Sequence, residues 1–104
     1  MRLTTEIKLE LVKRLELVMN GKVKHDYTSG PGMFGKNCLA FSYNSVEEAR
    51  EDKSRVLTYG ENLDDENEEA AFLILYMNSQ IVQTSEGAIL YFGVLNYPLV
   101  ASGY

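Results

Sequence analysis

The chain has 104 residues, 45% of them apolar and 24% charged, a balance that fits one folded domain over 1–104 and excludes a disordered chain. Its formal charge of −5 is segregated: residues 1–36 carry seven Lys/Arg against four Asp/Glu and residues 47–69 three against ten, so the middle is a negative block that repels nucleic acid and anionic membrane. A lone cysteine, Cys38, excludes an internal disulfide, and with only one histidine, His25, there is no Cys/His cluster of zinc-site type.

The first predicted element is a helix over about 4–20. Thr4 or Thr5 caps it, Glu6 suits the positive end of its dipole, and Asn20-Gly21 stops it. Leu3, Ile7, Leu11, Leu15 and Val18 share one face, widened by Val12 and Met19, and Glu10 is spaced to pair with Arg14. Leu9 and Leu17 fall outside that stripe, which marks them as surface residues available to a second contact.

Three glycines and a proline between Asp26 and Asn37 predict a long loop. Residues 38–43 then alternate loosely, in the manner of a short strand or the lead into the next helix. Ser45 and Glu48 form a capping box for a mostly exposed helix over 45–58, with Val46, Ala49, Val56 and Leu57 inward and Glu51 spaced to pair with Arg55. Asp64 or Asp65 caps a third helix over 65–83 whose first turn is acidic. Because Ala70–Met77 is apolar on every side, this helix is expected at the buried centre. The segment 88–100 is apolar and broken by Gly93 and Pro98, and periodicity does not decide between strand and helix there.

These elements predict a mainly α fold: a bundle of about three helices, a C-terminal apolar segment and at most a short two-stranded sheet. The alternative is an α+β arrangement in which 38–43 and 88–96 pair as antiparallel strands beneath the helices.

The string Gly30-Pro-Gly32-Met-Phe-Gly35-Lys36-Asn37 matches a phosphate loop except at its last position, where Asn replaces the hydroxyl that holds magnesium. The residues before it make a poor buried strand, so a structural turn is favoured over nucleotide binding. His25 beside Asp26 has the residue types of a general base and its orienting carboxylate, but neighbours in extended chain point apart. A Cys38/His25 dyad is weighed against a buried cysteine and a surface histidine, and the bland pair is preferred. The acids Glu61, Asp64, Asp65, Glu66, Glu68 and Glu69 lack the alternation and the Gly of a calcium loop.

The expectation is a non-enzymatic interaction module or inhibitor, acting as a homodimer, that meets a basic protein surface through those six acids, with nucleic-acid mimicry as one form of it. A small ligand-binding domain or enzyme built on Gly30, Gly32, Gly35, Lys36 and His25 is the first alternative. The second is a structural subunit of a homo-oligomer, a homodimer for instance, with Leu9, Leu17, Tyr91 and Tyr97 as contacts. Catalytic residues, metal and cofactor are expected to be absent. So are direct nucleic-acid binding and membrane contact. Charges at Glu6, Lys8, Glu10, Lys13, Arg14 and Glu16 interrupt any N-terminal apolar leader, and a cytoplasmic location is expected.

Overall fold

A computed structural model describes residues 2–24, 28–29 and 37–96 of the chain. Helix α1 spans Thr5–Val18, with the Thr4 hydroxyl accepting from the Ile7 N–H at 3.3 Å. Its inward stripe is the expected one except for Val18: Leu3, Leu11, Leu15 and Met19 are buried, with Ile7 and Val12 packed against the same core, whereas Val18 is only half-buried and outside it. Two short strands, β1 (Lys22–Val23) and β2 (Thr28–Ser29), follow, and both pair with β3 (Asn37–Tyr43).

The Ser45 cap forms as predicted, while the return bond of Glu48 goes to the Asn44 N–H and not to the Ser45 N–H. Ser45 Oγ accepts from the Glu48 N–H, and α2 runs Val46–Glu61. Helix α3 spans Glu66–Met77 and begins at Asp65, whose carboxylate accepts the N–H groups of Asn67 and Glu68.

A helix to residue 83 does not form. Asn78 closes α3, and Ser79–Thr84 becomes β4, which turns through Ser85-Glu86 into β5 (Gly87–Asn96). The sheet order is β1-β3-β5-β4 with β2 also on β3, and every pairing is antiparallel. The fold is therefore α+β, three helices with an antiparallel sheet, and the mainly α bundle with two strands is overturned. The alternative pairing of 38–43 with 88–96 is the one adopted: Tyr43 faces Ala88 and Leu39 faces Phe92. β-Branched Ile81 and Val82 lie on a pleated, half-buried strand, where such residues pack well.

The main core lies between the sheet and the three helices. Leu39, Phe41, Leu90 and Phe92 from the strands meet Leu11, Leu15, Val56, Phe72 and Leu75 from the helices, and Phe41 and Phe92 make an edge-to-face pair at 6.0 Å. Cys38, Ala40, Ile89 and Tyr91 form a second, smaller buried cluster with Val82. The expected burial of α3 on all sides is also corrected. Ala71, Phe72 and Leu75 face inward, whereas Leu73 is exposed and Met77 is 71% exposed, because α3 is an outer-layer helix.

The β4–β5 turn lies against the junction of β3 and α2. Gly87 holds φ +152°, and a side chain there would overlap the Tyr43 carbonyl oxygen and crowd the Asn44 backbone.

Candidate functional site

The six predicted carboxylates converge on the turn between α2 and α3, and the structure divides them by role. Asp65 is the α3 cap, and Glu68 is ion-paired to Arg14 of α1, which also meets Glu10 at 3.5 Å. Glu61, Asp64, Glu66 and Glu69 are exposed, and no hydrogen bond or ion pair among the described residues ties their side chains. Their charge is directed to water and is open to a cationic partner.

Beside this corner, α1 and α3 leave a groove of about 200 Å³. Its apolar wall comes from Ile7, Leu11, Ala71 and Phe72, and its charged rim holds Glu10, Asp65 and Glu68 with Arg14 between them. Glu10 and Glu68 are engaged by Arg14 and Asp65 by the α3 amides, so the groove offers an apolar surface to an aliphatic stem. Nothing in the sequence pattern marked this groove, because it depends on where α1 lies against α3.

The most constrained polar side chain among the described residues was missed in the sequence. Asp52 is 1% exposed. Its carboxylate accepts from the Asn20 N–H at 3.1 and 2.9 Å, the Gly21 N–H at 2.9 Å, the Tyr43 hydroxyl at 2.6 Å and Arg55 Nε at 3.1 Å. A buried carboxylate persists when its acceptor capacity is filled in this way. The Asn20-Gly21 signal does end α1, and Asp52 receives the amides released there. Gly21 belongs to the same fit, since a Cβ on it would overlap the Tyr43 ring. The expected pairing of Glu51 with Arg55 is replaced by Asp52 with Arg55, one residue closer along α2, because Asp52 is the fixed partner.

Burial pushes the Tyr43 phenol far above its ordinary value, and the adjoining Asp52 charge adds to the effect. Tyr43 and Asp52 also line an open cleft of about 860 Å³ with Lys22, Lys24, Glu48 and Glu86. The buried members of this cleft are already hydrogen-bonded to protein, so they serve as a brace joining the end of α1, β3 and α2. Lys8 is a second buried charge that the sequence reading missed, and burial lowers its pKa.

Cys38 is fully buried in β3, and desolvation pushes its thiol up to about 11. The nucleophilic thiolate is therefore scarce at neutral pH. A thiol-specific reagent at pH 8 is expected to label the folded protein at least about a hundred-fold more slowly than the urea-unfolded chain. Equal rates would contradict the burial. Because folding raises the pKa of this acid above its ordinary 9.0, the folded state keeps the proton longer, and stability is lost as pH rises from about 9 to about 11. Tyr43 acts in the same direction.

His25, Asp26, Gly30, Gly32, Gly35, Lys36 and Tyr97 lie outside the described residues, and with them the predicted ligand loop. Leu17 is 87% exposed and Leu9 is exposed, in agreement with their place outside the α1 stripe. Tyr91, expected as a contact between copies, is 2% exposed within the second cluster. Among the described residues no group of His, Cys, Asp or Glu is arranged to hold a metal, and no helix is long and apolar enough to cross a membrane. Compared with known proteins, the chain matches no family model, no curated protein and no solved structure.

Proposed function

We propose that the protein is a non-enzymatic interaction module that binds a basic protein surface at the α2–α3 corner. The observation that supports this reading best is the juxtaposition of the untied carboxylates Glu61, Asp64, Glu66 and Glu69 with the apolar-walled groove between α1 and α3. Long-range attraction by the acids steers a cationic surface toward the corner. The apolar wall of the groove then takes the aliphatic stem of a lysine or arginine from that surface. A row of carboxylates on a helix also imitates a run of phosphates, so a protein that otherwise holds nucleic acid is one class of partner. A homo-oligomer would present the corner more than once and gain avidity. The cytoplasm, where a buried thiol such as Cys38 stays reduced, suits this role.

The structure dictates which acids to reverse. Asp65 caps α3 and Glu68 holds Arg14, so both stay, and the variant is Glu61→Lys, Glu66→Lys, Glu69→Lys. Immobilised wild-type protein is expected to retain a basic protein from an extract of its own source at low salt and to release it at high salt. The triple variant should retain at least about ten-fold less, as loss of roughly 1.4 kcal/mol of binding energy implies, while its thermal melt stays close to that of the wild type. Equal retention by the variant would overturn the reading.

A further inference from the structure

Strand β4 closes one side of the sheet. β5 is paired on both flanks, by β3 and β4, whereas β4 pairs with β5 alone. The antiparallel alternation fixes which of its backbone groups are open. The Gly93 N–H donates to the Asn78 carbonyl, so in the same register Gln80, Val82 and Thr84 direct their amides and carbonyls to β5. Ser79, Ile81 and Gln83 therefore direct theirs away from the sheet. Among the described residues, only the Lys53 ammonium reaches that row, at 3.4 Å from the Ser79 carbonyl.

Open edges are ordinarily guarded by a charge, a proline, a bulge or a covering element. The run Ser79-Gln-Ile-Val-Gln-Thr84 has neither charge nor proline of its own, its register on β5 is unbroken, and apart from Lys53 of α2 at its Ser79 end no described strand or helix reaches its outer backbone row.

We propose that β4 is a self-pairing edge, at which a second copy of this chain adds its own β4 antiparallel about a two-fold axis at Ile81, joining the two sheets into one. This centring uses every outward group. Ile81 meets Ile81 of the second copy, and Ser79 meets Gln83 of the second copy. The Ser79 carbonyl can accept from Gln83 of the second copy and keep Lys53, since a carbonyl has two lone pairs. The flanking charge fits the same axis. Lys53 stands at the Ser79 end of each edge, so the antiparallel arrangement keeps the two lysines at opposite ends of the seam. A parallel arrangement would instead bring the two lysines together. The surface is separate from the acidic corner, and the proposal stands or falls independently of partner binding there.

Sedimentation velocity and light scattering over a concentration series provide the test. The wild-type chain is expected to dimerise. Gln83→Lys sets a new ammonium beside Lys53 of the second copy and should weaken the dimer at least ten-fold, whereas Gln83→Glu sets a carboxylate there and should leave it as tight or tighter. Gln83→Pro removes an outward N–H without touching the ladder to β5, and should also yield monomer. If Gln83→Pro fails to fold, the opposite signs of the two charge variants still decide. A wild-type chain that is monomeric up to millimolar concentration would overturn the proposal. So would a dimer to which Gln83→Lys and Gln83→Glu are equally indifferent.

Discussion

Asp52→Ala is expected to lower stability by about 3–5 kcal/mol, the range seen when one partner of a buried, hydrogen-bonded charge group is deleted. The carboxylate is the shared acceptor for two backbone amides at the end of α1, for the Tyr43 hydroxyl and for Arg55. Removing it orphans the Asn20 and Gly21 N–H groups in a partly buried site and leaves the Tyr43 hydroxyl without its acceptor. Asn in the same place retains one acceptor oxygen, so Asp52→Asn should lose less than Asp52→Ala but more than Glu51→Ala on the exposed side of the same helix. Urea denaturation at neutral pH measures all three. A loss below about 1 kcal/mol for Asp52→Ala would reduce the brace to an ordinary surface contact.

Gly87→Ala is expected to be comparably severe, at roughly 3 kcal/mol or more, because two costs fall on one methyl group. At φ +152° an L-residue is strained whatever its surroundings. The added carbon also overlaps the Tyr43 carbonyl oxygen and the start of the Asn44 backbone, neither of which can swing aside as a side-chain tip would. Relief requires the β4–β5 turn to lift from the β3–α2 junction, which disturbs the Tyr43–Ala88 pairing beside it. The expected result is a lower denaturation midpoint together with faster amide exchange at the top of β5. An unchanged midpoint would mean that the turn is free to move.

The sequence carried the local signals well and the long-range ones poorly. Thr4, Ser45 and Asp65 cap their helices through bonds to N–H groups two or three residues away, so the information is contained in a few neighbouring positions. The boundary between α3 and β4 was illegible for a different reason. Ala70–Met77 and Ile81–Val82 form a nearly continuous apolar tract, and the turn to a strand is decided by β5 being available as a partner, which no local pattern expresses. Asp52 was obscured by the acidic block around it. Its one legible sign was position: Ala49, Asp52, Val56 and Gly60 follow the helical period and form the buried face of α2, so a carboxylate at that spacing had to find partners. The acidic corner itself was legible as composition, but which acids are committed to capping and pairing became clear only when Arg14 was placed beside Glu68.

The two central strands have a consequence for how the chain reaches its folded state. β4 and β5 adjoin through a two-residue turn, and α2 and α3 are neighbours in sequence, so each pair can assemble from local encounters. β3 cannot, because its partner β5 lies beyond the whole of α2, α3 and β4. Joining them closes a long loop whose entropy must be lost before Leu39 and Phe41 gain their contacts with Leu90 and Phe92. Until that closure, both flanks of the β4–β5 hairpin are open. The nascent chain is then most prone to pair with the wrong strand, and faster docking of β3 would favour correct folding over aggregation even with the final stability unchanged.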